Sequence, residues 1–132
     1  MALSEEAISC RPELILFHRD PRHTAVVGEA FRQRGWRVHP ARSGREVRAL
    51  AQALVSPTIL LGTDQVEESG WLTCAKLRQE QPHLRVFLIA PAVTPERRRF
   101  AAFLGAAGLL GQQDEPRALV CAVCGARLPA AG

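Results

Sequence analysis

Residues 56–90, "SPTILLGTDQVEESGWLTCAKLRQEQPHLRVFLIA", decide the fold. Two short runs in this stretch, "TILLG" (58–62) and "VFLIA" (86–90), are nearly continuous in apolar residues. Central parallel strands covered on both faces have this composition. Between them Trp71, Cys74 and Leu77 recur every three residues after Gly70, which predicts a helix with an apolar face. Strand, helix and second strand then make one parallel crossover.

The same alternation continues in both directions. "LILFH" (14–18), "WRVHPA" (36–41) and, more weakly, "AGLLG" (107–111) supply three further strands. Asp20-Pro21 reads as N-cap and first residue of a helix reaching Gly35, with Val26, Val27, Ala30 and Phe31 on one face. A second helix, Gly44 to Val55, places Val47, Leu50, Ala51 and Leu54 on one stripe. Thr94-Pro95-Glu96 opens a fourth helix and Asp114-Glu115-Pro116 a fifth. Five β/α units predict a parallel sheet with helices on both faces. Residues 13–127 read as one domain between short tails at 1–12 and 128–132. In such sheets the functional crevice lies at the carboxyl ends of the strands. Those ends hold His18-Arg19-Asp20, Gly62-Thr63-Asp64, Ala90-Pro91 and Gly111-Gln112-Gln113.

Composition narrows the function. The chain has 132 residues, 47% hydrophobic and 23% charged, ordinary for a globular domain. "MALSEEAISC" lacks the basic and apolar segments of a secretory signal, and no run is long enough to span a bilayer, so a cytoplasmic protein without membrane contact is expected. The net charge is +4, and Lys76 is the only lysine among seventeen basic residues. The arginines are dispersed apart from Arg97, Arg98 and Arg99, with no helix-turn-helix pattern, so nucleic-acid binding is not expected. Of Cys10, Cys74, Cys121 and Cys124, only the last two form a C-x-x-C pair. Half a zinc knuckle cannot hold tetrahedral zinc alone, and thiols late in a helix lack the field that activates a redox pair. Neither a metal nor a cofactor is expected.

The quoted motifs together resemble the receiver domain of bacterial response regulators over roughly residues 13–126. "LILFHRDP" is similar to the first strand and its acidic turn. "SPTILLG" followed by "SGWLTCAKLR" is similar to the phosphoacceptor strand with its downstream Gly and third helix. "GAAGLLGQQDEPRALVCAV" is similar to the Gly-Ala, fifth strand and last helix. The resemblance implies a CheY-like, flavodoxin-like five-stranded sheet in the order 2-1-3-4-5. It also implies phosphotransfer to an Asp beside an acidic pair holding Mg²⁺, a Ser/Thr and a Lys, as in two-component phosphorelay signalling.

Carried over position by position, that equipment is absent. The acidic pair falls on His18 and Arg19, neither a hard oxygen ligand. The acceptor falls on Gly62 if Gly70 is matched to the family's downstream Gly, and on Thr63 if Pro57 is matched instead. The Ser/Thr becomes Ala90, the Lys becomes Gln112, and the aromatic that moves with the Ser/Thr becomes Leu109. Asp64, slightly past the expected place, is the alternative acceptor, and Asp20 reads as a helix cap.

A non-catalytic pseudo-receiver working by protein–protein contact is therefore expected, as a homodimer through its fourth helix, fifth strand and fifth helix, the family's usual docking surface. On the last helix Leu119, Ala122, Val123 and Ala126 form one apolar face, while Val120, Cys121, Cys124 and Leu128 fall roughly opposite. On the fourth helix Phe100 and Phe103, preceded by Arg97, have hot-spot composition, with ordinary core residues as the other reading. A second possibility is a small-ligand or anion sensor at the strand ends, using His18, Arg19, Arg42 and Gln112, with His39 near them. There Arg19 could equally pair with Asp64 or Asp20. "HRDPRH" does not offer the phosphate-cradling loop of a flavin carrier.

Overall fold

The computed structural model describes residues 11–65 and 67–127. Each apolar run becomes a strand: β1 (Glu13–Phe17), β2 (Arg37–Pro40), β3 (Thr58–Gly62), β4 (Arg85–Ala90) and β5 (Gly108–Gly111). The helices between and after them are α1 (Pro21–Arg32), α2 (Gly44–Ala53), α3 (Gly70–Glu80), α4 (Pro95–Phe103) and α5 (Pro116–Arg127). All pairings are parallel and the strand order is β2-β1-β3-β4-β5, as the resemblance implies.

The twofold alternation along each central strand divides the core into two layers. Ile15, Phe17, Ile59, Leu61, Val86, Leu88 and Ala90 meet Val47 and Ala51 of α2, Cys74 and Leu77 of α3, and Ala101 of α4. Leu14, Leu16, Leu60, Phe87 and Ile89 point the other way, onto Val27 and Phe31 of α1 and Leu119, Val120 and Val123 of α5. Each fully buried side chain of this size contributes roughly 1.5–3 kcal/mol.

Four helices begin on a side-chain cap. Asp20 Oδ1, Ser43 Oγ, Ser69 Oγ and Thr94 Oγ1 accept from the amides of Arg22, Glu46, Leu72 and Arg97 at 3.0, 3.0, 3.2 and 3.1 Å. Asp20 and Thr94 were legible as caps from the prolines that follow them.

Several expectations need correction. α1 stops at Arg32, and Gly35 at φ +88° makes the turn that brings Trp36 into the core. α2 stops at Ala53, leaving Val55 87% exposed. Val26 is 54% exposed because the buried stripe of α1 runs through Val27 and Phe31, and Val26 precedes it by a 100° step. On α5 the core-facing arc is wider than one stripe: it takes in Val120, only 2% exposed, and Cys124 packs at its edge. The cause is that α5 packs against α1 as well as the sheet. Val120 is therefore withdrawn from the candidate interface, and Leu128 lies outside the described residues. Among the described residues no helix is long and apolar enough to cross a membrane.

Candidate functional site

β1 delivers His18 to the carboxyl edge of the sheet, and α1 returns His23 beside it. Their rings stack at 4.2 Å between centroids and 24° between planes. His18 Nδ1 accepts from the Asp20 amide at 3.0 Å, and its ring also meets the Gln112 side chain. Burial, reinforced by the neighbouring His23, holds His18 below the usual imidazole range; burial also lowers His23. The two rings are thus a neutral stack at pH 7.

β3 ends beside this stack. A Cβ built on Gly62 would lie 2.8 Å from His18 Cδ2 and 2.8 Å from Gln65 Nε2. The Gln65 amide folds back to donate to the Gly62 carbonyl at 2.9 Å. The volume that a side chain at 62 would need is therefore filled by an imidazole and a carboxamide. Next along, Thr63 is buried, and its hydroxyl donates to Asp64 Oδ1 at 3.3 Å. Its amide donates to the Ile89 carbonyl at 2.8 Å, and its carbonyl accepts from the Gly70 amide at 3.0 Å. Asp64 itself is exposed. Gly70 has a physical requirement for glycine, since any Cβ there would overlap the Gly62 carbonyl. Ala90 closes β4, its carbonyl accepting from the Gln112 amide at 2.9 Å. His18, Gly62 and Gln112 are thus brought together.

The receiver resemblance implies Mg²⁺ at these strand ends, and the donor set does not suit it. A hard cation needs several oxygen ligands. The end of β1 offers an imidazole and a guanidinium, and the described residues contain no group of three His, Cys, Asp or Glu able to hold a metal.

Arg19 turns instead toward an open cleft of about 1050 Å³ between the ends of β1 and β2, the start of α2 and the β3–α3 loop. Phe17, Pro21, Pro40 and Ala41 give it apolar walls; Arg19, Arg42, Arg45, Arg48 and Lys76 surround them, with Glu67 and Glu68 as the acids. Glu68 is spoken for: its carboxylate takes Lys76 Nζ at 2.6 Å and the Thr73 hydroxyl at 2.5 Å, which hold it below the usual carboxylate range. Arg48 pairs with Glu80. Among the described residues Arg19, Arg42 and Arg45 make no ion pair, so the pairing of Arg19 with Asp64 or Asp20 does not form. His18 also lines the cleft, whereas Gln112, which meets that ring, does not. His39 faces Glu13 at 2.6 Å, away from it. Sequence reasoning missed Gln65 and Arg45, though the Ser43-x-x-Glu46 cap was a signal that Arg45 opens a helix.

A third feature lies on α3 and α4. Phe100 is 46% and Phe103 83% exposed, which overturns the core reading of the pair. Phe100 packs on Trp71 at 5.0 Å and on Phe103 at 6.5 Å, and Leu72 adds exposed apolar surface. Arg97, Arg98 and Arg99 are exposed on the same helix. Cys121 is exposed and Cys124 half-buried, while burial pushes the Cys74 thiol up to about 11.

No protein-family model and no curated protein matches the chain. Solved structures do. The chemotaxis protein CheY4 of Vibrio cholerae superposes with a TM-score of 0.82 at 18% identity, over 89% of this chain and 99% of that one. The receiver domain of the putative response regulator NarL from Mycobacterium tuberculosis gives 0.80 at 24% identity, over 90% and 98%. A putative response regulator from Chloroflexus aurantiacus gives 0.80 at 19% identity, over 88% and 97%. The chain has the CheY-like fold of response-regulator receiver domains.

Proposed function

We propose that the chain is a pseudo-receiver, a signalling module without enzymatic activity that acts through phosphorylation-independent contact with another protein in the cytoplasm. One observation carries the reading: with Gly70 matched to the family's downstream Gly, the acceptor position at the end of β3 is Gly62, and His18 and Gln65 fill the space its side chain would need. The neighbouring positions support it. Phosphoryl transfer rests on neutralising charge around the transferring group. Ala90 and Gln112 cannot supply the hydroxyl and ammonium for that, and Asp64 stands exposed, away from any cation-binding carboxylate pair.

The contact surface is the aromatic face of Trp71, Leu72, Phe100 and Phe103. Exposed aromatics flanked by arginine have the composition of interface hot spots. Three arginines on α4 favour an acidic partner over a second copy, which would set like charges against each other. A homodimer would thus have to offset Arg97, Arg98 and Arg99 across its axis, and sedimentation velocity distinguishes the two.

Titration with beryllofluoride and Mg²⁺, followed by amide chemical shifts, tests the loss of phosphotransfer. No saturable change is expected. A saturable response that Asp64→Asn abolishes would overturn the reading in favour of an atypical acceptor.

A further inference from the structure

The cleft at the ends of β1 and β2 has a chemistry that protein contact through α3 and α4 does not use. Its floor and walls are apolar, from Phe17, Pro40 and Ala41, while its rim carries Arg19, Arg42 and Arg45 with no ion-pair partner among the described residues. Surface arginines scattered singly need no explanation, but three unpaired guanidiniums around one apolar hollow concentrate positive potential where a low-dielectric wall strengthens it. A volume of about 1050 Å³ is at the upper end of small-molecule sites. The amino terminus of α2 opens here too, but Ser43 Oγ caps it and the Glu46 carboxylate accepts the Arg42 amide at 2.6 Å, so the attraction for an anion comes from the three guanidiniums. The inner corner is closed: Glu68, held by Lys76 and Thr73, stands so near Gly44 that a Cβ there would lie 2.7 Å from its carboxylate oxygen. An incoming anion is left with the outer rim.

We infer that this cleft binds a phosphorylated nucleoside, its base against the apolar floor and its phosphates on Arg42, Arg45 and Arg19. Guanidinium forks match phosphate oxygens in pairs, which a lone ammonium cannot do. Exposed Pro40, with the accessible edges of Phe17 and Ala41, offers a base an apolar contact that an inorganic anion would not use. The inference rests on the cleft alone. It stands or falls apart from the contact reading, because none of its residues belongs to the aromatic face.

Isothermal titration of the full chain at low ionic strength with ATP, adenosine and pyrophosphate tests it. ATP is expected to bind saturably and raise the melting temperature, with adenosine and pyrophosphate each weaker by about tenfold or more, a difference of ~1.4 kcal/mol. R42A/R45A, at two exposed positions, should weaken ATP about tenfold while leaving the melting temperature of the free protein unchanged. A25W, which narrows the cleft without removing charge, should weaken ATP as well. The inference is overturned by absence of saturable ATP binding, by pyrophosphate binding as tightly as ATP, or by unchanged ATP affinity in R42A/R45A. An acidic peptide that outcompetes ATP for the wild type would overturn it too, reassigning the cleft to a protein partner.

Discussion

The carboxyl edge of the sheet has two neighbouring regions built on opposite principles. Around the ends of β1, β3 and β5, neutral groups of the protein's own fill the space: stacked His18 and His23, the Gln65 amide, and Gln112. A few ångströms of chain away, around the ends of β1 and β2, the space is open and rimmed by guanidinium groups. The two regions meet at His18, whose ring stacks on His23 and also lines the cleft, while Arg19, one residue on, lines the cleft alone. Two adjacent residues at the end of β1 thus do two different things. The His18 ring packs against His23, and the Arg19 guanidinium brings positive charge to the cleft.

The harshest break in this comparison strikes the scaffold both regions share. Gly70 lets the first turn of α3 press on the Gly62 carbonyl, and that carbonyl belongs to a strand paired on both sides. Backbone cannot swing aside as a flexible side chain can. Gly70→Ala is expected to cost about 3 kcal/mol or more, above the usual range for an overpacked core. Urea unfolding measures it, and a cost under about 1 kcal/mol would mean that the α3–β3 approach is looser than the geometry states.

Restoring a carboxylate sharpens the comparison on the closed side. Gly62→Asp must displace the His18 ring and the Gln65 amide and then seat a charge among neutral groups. A loss of about 2 kcal/mol is expected from overpacking and an unpaired charge together. The variant should still show no response to beryllofluoride and Mg²⁺, because one carboxylate does not make a cation site beside Arg19. Full wild-type stability with a gained response would show that the acceptor pocket is latent and not filled.

Acid probes the same stack more gently. His18 and His23 are held neutral by burial, so the folded chain binds fewer protons than the unfolded one below the ordinary imidazole pKa of about 6.5. Their contribution to stability is present above that value and is lost as pH falls below it toward the lowered folded values. Asp20 opposes the lowering of both rings, and Arg19 adds to that of His18. Thermal melts from pH 7.5 to 5.5 should show stability falling with acid, less steeply in His23→Phe. An identical slope in that variant would remove the stack as the cause.

How much of this was readable beforehand differs by kind of interaction. The parallel sheet with helices on both faces followed from local patterns, continuous apolar runs at 58–62 and 86–90 and the stripe Val47, Ala51, whereas the strand order came from the receiver resemblance. The caps at Asp20 and Thr94 followed from two adjacent residues each. The substituted positions His18, Gly62 and Gln112 were also nameable, because strand ends converge in this fold. What could not be read was which way side chains leave those ends. Gln65 folding back to Gly62 and His23 stacking on His18 depend on rotamers chosen by packing, not by spacing. Val120 was misplaced for a related reason, because the second helix contacting α5 widened its buried arc beyond one periodic stripe.

The smallest expected effect on the fold belongs to the exposed aromatic face. Phe103 is 83% exposed and its ring meets chiefly Phe100, at 6.5 Å. Phe103→Ala should therefore change unfolding free energy by no more than about 0.5 kcal/mol, as at other surface positions. Yet a large aromatic kept in water next to three arginines is costly to solubility and contributes nothing to the core. On the proposed docking role its contribution is to association, where truncating a central aromatic costs about 2 kcal/mol or more of binding. Affinity for an acidic partner should fall at least tenfold in Phe103→Ala while the urea curve stays superimposable on the wild type. A shifted urea curve with unaltered association would make Phe103 a structural residue, and the aromatic face would lose its role as the docking surface.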